Sequence, residues 1–291
     1  MSPPPSDFKT LTASDGHTIF SEATGSPSNP HVVLISGLTL SGCVFDDFCA
    51  DERLLDKLYI VRYDVRGHGR SGKPTTAAAY ESKLFADDFK TVMDAYKLVK
   101  PVLVGWSMGA AMAADVVAHL PPAIVSGVIY LSGVPCTGEL LMQIAGPGVT
   151  PAVPGLTSNE NVLEFQKSST LFVQKLFASP ETVPYKDWCL YMGHSLSPEI
   201  MSLTLGRTMD IEPLRKAGKE GLPLLMIQGT ADAHRIDAPK GIEEVMKPYF
   251  TNYECIWLEG RGHALHYECP DEIIRPLIRF TETYAGKDYR S

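Results

Sequence analysis

The chain has 291 residues, 44% of them hydrophobic and 21% charged, which is enough for one large buried core. Its formal charge of -8 comes from 34 acidic against 26 basic residues, with no long basic run or arginine-rich stripe, so nucleic acid is not an expected partner. Six cysteines, at 43, 49, 136, 189, 255 and 269, form no C-x-x-C pair and no zinc-site spacing, and read as free, mostly buried thiols.

The N-terminal MSPPPSDFKT lacks the charged start and apolar run of a signal peptide and reads as a short, proline-stiffened tail. No stretch approaches the roughly 20 apolar residues of a membrane span, so a soluble, cytoplasmic protein is expected. Phe8 to Ala13 and His17 to Ala23 are short alternating runs joined by Ser14-Asp15-Gly16, a hairpin signal. From Val32 the texture changes. VVLIS (32–36), YIVRYD (59–64), PVLVG (101–105), GVIYLS (127–132), PLLMIQG (223–229) and YECIWLEG (253–260) are nearly continuous apolar runs. Continuous runs, unlike alternating ones, mark strands buried on both faces of a parallel sheet.

Helical patterns fall between them, at Asp46 to Leu58, Lys83 to Leu98, Met108 to His119, Gly241 to Tyr249 and Asp271 to Tyr284. Strand–helix alternation predicts a doubly wound α/β sheet, and the leading hairpin makes it a mixed, mostly parallel sheet of eight strands. One segment breaks the rhythm. Residues 136–221 contain no convincing strand, only a turn-rich opening, GPGVTPAVPG (146–155), and helical stretches at Asn159 to Phe177, Trp188 to Met192 and Ile200 to Met209. We therefore expect a core of residues 1–135 and 222–291 with a helical cap, 136–221, inserted between two strands. The insert leaves the sheet beyond a strand's carboxyl end, where open α/β sheets bind ligands.

The strongest chemical signal is VLVGWSMGAAMAADVVAHL (102–120), in which a buried strand runs into G-W-S-M-G and straight on into a helix. A serine nucleophile must project from a very tight strand-to-helix turn, and Gly105 and Gly109 remove side chains that would collide there. The turn sets Ser107 at a helix N-terminus, whose free N–H groups favour a developing oxyanion.

With this motif in hand, the chain resembles the α/β-hydrolase fold superfamily from about residue 8 to 285. The resemblance rests on VVLISGL (32–38), YDVRGHGRSGKP (63–74), GWSMGA (105–110), GTAD (229–232) and GRGHALHYECPDE (260–272), in that order. The Y-D-x-R-G-H-G-x-S loop is similar to that of capped esterases, cofactor-free perhydrolases and C–C bond hydrolases.

A serine hydroxyl needs an adjacent base, itself held by a third group. His17, His31 and His119 are set aside by position, and by family analogy His68 organises the R-G-H-G loop. His263 lies in a turn just after the last strand, on the edge that carries Ser107, and is preferred to its rival His266. The acid should come between nucleophile and histidine in sequence. Asp232 leaves a buried strand through Gly-Thr and matches the family motif, with Asp237 as the fallback and a better reading as a helix cap near Pro239. The resemblance implies an oxyanion hole from the backbone N–H groups of Met108 and Leu38. Many relatives carry His-Gly where this chain has Ser36-Gly37, which keeps the donor but loses a bracing side chain.

Serine in the nucleophile position implies acyl transfer rather than the epoxide or haloalkane chemistry of an aspartate. Esters are favoured over amides because an alkoxide leaves more easily. Trp188, Tyr185, Tyr191 and many Leu, Met and Phe residues in the insert suggest a small-molecule ester of moderate lipophilicity. The same triad also suits a C–C bond hydrolase, a perhydrolase, a hydroxynitrile lyase, or a receptor that keeps the triad and signals through its cap. R-G-H-G-R-S-G (66–72) lacks the G-x-G-x-x-G frame and no histidine has a supporting ligand cluster, so neither a nucleotide cofactor nor a metal is implied.

Overall fold

The computed structural model describes residues 7–146, 149–234 and 241–290. Eight strands form one sheet: β1 (Asp7–Thr12), β2 (Thr18–Thr24), β3 (His31–Ile35), β4 (Tyr59–Tyr63), β5 (Val102–Trp106), β6 (Gly127–Leu131), β7 (Leu224–Gly229) and β8 (Tyr253–Leu258). Their order is β1-β2-β4-β3-β5-β6-β7-β8. β1 and β2 pair antiparallel as the hairpin, β2 joins β4 antiparallel, and the rest are parallel. The expected mixed, mostly parallel eight-stranded α/β sheet is the fold.

Alternation along each strand divides the core in two. On one face Val33, Ile35 and Leu103 meet Phe85 and Phe89 of the helix Ser82–Ala95, with Met112 and Val116 of Met112–His119 and Leu214 of Glu212–Lys219. On the other, Val32, Leu34 and Val104 meet Phe48, Leu54 and the Ile273, Leu277 and Phe280 stripe of Pro270–Tyr284. Burial on both faces is why the parallel strands read as continuous apolar runs.

Several helices differ from their sequence patterns, each for a local reason. The pattern at 46–58 is two helices, Asp46–Cys49 and Glu52–Lys57, because the Asp51 carboxylate accepts from the Arg53 N–H and starts a new turn. The helix after β5 opens as a 3-10 turn, Ser107–Ala111, before Met112–His119. Gly241–Met246 tightens into 3-10 geometry at Lys247–Tyr249, around Pro248, which has no N–H to give. Asn161 caps Val162–Gln174, three residues inside the stretch expected from 159, and Ser197 caps Pro198–Leu205, two residues ahead of the start expected at 200.

Between β6 and β7 the described residues hold helices and no strand. Glu139–Ile144, Val153–Leu156 and Glu212–Lys219 add to those expected, with Tyr185–Met192 replacing the shorter stretch at 188. Val153–Leu156 falls in the turn-rich opening, which is described only in part. All six cysteines are unpaired thiols, but only Cys49, Cys136 and Cys269 are buried. No helix among the described residues is long and apolar enough to cross a membrane.

Candidate active site

Ser107 follows β5 directly and has φ +55°, a left-handed conformation that is rare and strained for a residue with a side chain. The surrounding chain holds it there. A Cβ on Gly109 would lie 2.3 Å from the Ile35 carbonyl oxygen, so only glycine lets the new helix press against the end of β3. The Val134 N–H donates to the Ser107 carbonyl at 3.0 Å, tying the turn to the end of β6.

Asp232 and His263 arrive on the loops after β7 and β8. The Ala231 N–H donates to the Arg261 carbonyl at 2.9 Å, and the Gly260 N–H donates to Thr230 Oγ1 at 2.8 Å, so the two loops are tied to each other. His263 Nδ1 donates to Asp232 Oδ2 at 2.7 Å, with both side chains almost wholly buried. That bond fixes the tautomer: the proton sits on Nδ1 and Nε2 is left as an acceptor. His263 Nε2 is buried with no hydrogen-bond partner among the described residues, and His263 and Ser107 line one cavity.

The histidine loop is held from three sides. Trp106 Nε1 donates to the His263 carbonyl at 2.8 Å. The N–H groups of His263 and Ala264 both donate to the Leu176 carbonyl, at 3.0 and 2.9 Å. The Glu268 carboxylate bridges the Ala178 N–H at 2.7 Å and the Gly262 N–H at 2.6 Å. Leu176 and Ala178 belong to the helical segment, so that segment helps to position the imidazole.

Leu38 and Met108 line the same cavity. The Met108 N–H lies in the first turn of Ser107–Ala111, where helical N–H groups lack an intrahelical acceptor. The loop with Leu38 passes so close that a Cβ on Gly37 would sit 3.0 Å from Ser107 Cβ. Within this loop the Ser36 hydroxyl donates to the Leu40 carbonyl at 3.3 Å.

The structure separates the rival histidines. His266 packs between Phe45 and Trp106, with ring centroids 4.6 and 4.4 Å away, and its Nε2 is 3.0 Å from Tyr191 Oη. Burial, with the neighbouring His263, pushes its imidazole down to about 3, so it stays neutral. Burial also pushes His68 down to about 4; its Nδ1 donates to the Arg66 carbonyl at 3.1 Å inside the R-G-H-G loop. Asp237, the fallback acid, lies outside the described residues.

Sequence reasoning passed over one residue here. His234 stacks on His263 with centroids 4.2 Å apart and planes 19° apart, and its N–H donates to Asp232 Oδ1 at 2.9 Å. The only signal was its place two residues beyond Asp232. Nor did the sequence reveal Trp106 or Glu268 as supports, since both act through contacts distant in the chain.

The cavity holds about 170 Å³. Leu38, Ser107, Met108, Val134, His234 and His263 form one wall; Leu141, Ile144, Val149, Val153, Leu156, Phe172 and Leu205 form much of the other. None of the described lining residues is Asp, Glu, Lys or Arg. Tyr185, Trp188 and Tyr191 of the helical segment do not line this cavity. Tyr185 is 82% exposed, Tyr191 meets His266, and Trp188 packs against the second core cluster. No group of three or more His, Cys, Asp and Glu side chains among the described residues is placed to hold a metal ion.

Comparison with known proteins agrees with the fold. The model of the alpha/beta hydrolase family matches residues 32–275. The superfamily protein YisY of Bacillus subtilis is 26% identical over 231 residues, covering 76% of this chain and 80% of that one. The Mycobacterium tuberculosis protein EphD is 39% identical over 90 residues, but the match spans 31% of this chain and 15% of EphD. Among solved structures, the esterase RhEst1 from Rhodococcus sp. ECU1013 superposes with a TM-score of 0.82 at 24% identity, covering 96% and 99% of the two chains.

Proposed function

The chain belongs to the alpha/beta hydrolase family, and from that premise we propose that it hydrolyses uncharged carboxylic esters through an acyl-enzyme on Ser107. The observation that carries the reading is the 2.7 Å bond from His263 Nδ1 to Asp232, which leaves Nε2 unpartnered in the cavity that Ser107 lines. In this reading Nε2 takes the Ser107 proton as Oγ attacks the ester carbonyl, and Asp232 stabilises the imidazolium. The carbonyl oxygen, now an alkoxide, receives the N–H groups of Leu38 and Met108, each contributing roughly 3 kcal/mol to the transition state. The imidazolium then protonates the departing alcohol, and water repeats the sequence to release the acid.

The lining supports the substrate class. With a mostly apolar lining and no Asp, Glu, Lys or Arg among its described residues, the cavity offers no ion pair to a charged acyl chain and much to a hydrocarbon. At about 30 Å³ per water-sized group, 170 Å³ accommodates about six heavy atoms. We read segment 136–221, which supplies most of this lining, as a cap over the site.

The test is a series of p-nitrophenyl esters of graded acyl length with wild type and Ser107→Ala. Repeated turnover is expected to peak at short to medium acyl chains and to vanish in the variant. Activity that survives in Ser107→Ala removes the proposal.

A further inference from the structure

Ser41, Cys43 and His194 form a second cluster of reactive side chains, outside the cavity at Ser107. His194 Nδ1 is 2.6 Å from the Leu190 carbonyl oxygen. A carbonyl only accepts, so Nδ1 carries the proton and the neutral ring presents Nε2 as an acceptor. That nitrogen is 3.1 Å from Cys43 Sγ and 2.8 Å from Ser41 Oγ, and the two are 3.2 Å apart. The thiol proton can therefore reach the imidazole directly or through the serine hydroxyl. Contact with the Cys43 sulfur raises His194 above the ordinary histidine range, against the burial that lowers it.

The sulfur is also within reach of solvent. Cys43 is only half-buried and lines a cavity of about 620 Å³ between the 43–51 stretch and the helix Tyr185–Met192. Asp46, Asp47, Asp51 and Asp187 line it against the single Lys186, a field that disfavours anionic reagents. The backbone beside the thiol is held, since the Gly42 N–H donates to Asp64 Oδ1 at 2.8 Å and Arg62 Nη1 donates to the Gly42 carbonyl at 2.8 Å. A thiol, a base at hydrogen-bond distance and a group orienting that base are the parts of an activated nucleophile.

We propose that Cys43 is a modification site, a thiol deprotonated by His194 that is alkylated by small uncharged electrophiles entering the cavity between residues 43–51 and 185–192. With a haloacetamide the sulfur lone pair forms the S–C bond as the C–halogen bond breaks. Halide leaves with that bond's electron pair, and the thiol proton passes to His194 and then to solvent. The site is separate from Ser107 and its test reads no turnover.

Labelling of the folded chain with iodoacetamide at pH 7, resolved by peptide mass spectrometry, tests it. Cys189 lines the same cavity and is exposed, so it serves as the reference thiol. Cys43 is expected to label about tenfold faster than Cys189 although it is the more buried, because His194 Nε2 stands 3.1 Å from its sulfur to take the thiol proton. In His194→Gln the Cys43 rate should drop about tenfold while that of Cys189 is unchanged. A Cys43 rate no higher than that of Cys189, or one unaltered in His194→Gln, overturns the proposal. Labelling of the buried Cys49, Cys136 and Cys269 would show that the variant has lost its fold, and the wild-type ratio alone then decides.

Discussion

The wall of the cavity that carries Leu38, Ser107, Met108 and His263 is fixed by backbone geometry and directional hydrogen bonds, whereas the wall of Leu141, Ile144, Val153, Leu156 and Phe172 is fixed by aliphatic packing. On the first, a strained φ at Ser107, a glycine against Ile35 and a chain of bonds from Trp106, Leu176 and Glu268 leave Ser107 and His263 little freedom. On the second, the side chains are almost all apolar and set a shape, with Thr150 the one hydroxyl among the described residues of that side. The difference assigns tasks: geometry that chemistry cannot lose sits on the sheet, and shape that selectivity can vary sits on the helices. Each prediction below breaks or sharpens that contrast.

The largest effect belongs to the sheet wall. Asp232→Asn preserves the shape but lets Nδ1 accept rather than donate, so kcat should drop about 10⁴-fold with KM nearly unchanged. Steady-state kinetics on a p-nitrophenyl ester check this; a loss carried by KM instead would move Asp232 out of the proton-transfer machinery.

Next is the fastening between the walls. Arg207 of the helical segment donates to Asp115 of Met112–His119 at 2.5 Å, with both side chains essentially buried, and its guanidinium lies 3.3 Å from the Phe85 ring centroid. Arg207→Met leaves the buried Asp115 carboxylate with the Ser82 hydroxyl as its one remaining side-chain donor among the described residues. Breaking such a pair from one side costs about 3–5 kcal/mol. Denaturant unfolding should show that loss, and a change under 1 kcal/mol would mean the helices are held by packing alone.

Acid should act on the two sides with opposite sign. His68 and His266, on the sheet side, are depressed to about 4 and about 3, whereas in the unfolded chain they protonate near 6.5. Between those values the unfolded state binds more protons, so their contribution is whole above about pH 6.5 and is lost as pH falls, by about 1.4 kcal/mol per pH unit for each ring. His194, on the helical side, is raised; its contribution is whole below the unfolded value and is lost as pH rises through the folded one. Urea unfolding from pH 7 to 5 should show falling stability, with the slope about halved in His266→Gln. A slope indifferent to that substitution would place the acid sensitivity elsewhere.

The smallest effect is on the aliphatic wall. Leu141→Ala enlarges the cavity without touching a polar group, so the octanoate-to-butyrate ratio of kcat/KM should rise about fivefold, or about 1 kcal/mol. Turnover of butyrate should stay within about twofold, and a collapse of kcat would show that this wall also aligns the reacting atoms.

The same contrast governs what could be read from the sequence. The sheet side was legible because its constraints are local: buried strands must be continuously apolar, and a sharp strand-to-helix turn needs glycine around Ser107. The residues proposed as base and acid lie just beyond two such strands, at His263 and Asp232. Supports that act across long separations, such as Trp106 on His263, Glu268 on Gly262 and His234 stacked on His263, leave no periodic trace. The helical segment was recognisable as helical, but which of its faces met the cavity was not. Of the Leu, Met, Phe, Trp and Tyr residues singled out by type, Leu141, Met142, Leu156, Phe172 and Leu205 line the site, whereas Tyr185, Trp188 and Tyr191 do not. Orientation of a short helix on a neighbour depends on tertiary packing, and a propensity pattern carries little of that.

The most direct measurement is the mass of the intact chain after reaction with diethyl 4-nitrophenyl phosphate, followed by peptide mapping. The account predicts one diethylphosphoryl group per chain, on Ser107, with loss of esterase activity in step and no label in Ser107→Ala. A label on another residue, or full activity in an unlabelled chain, would contradict it.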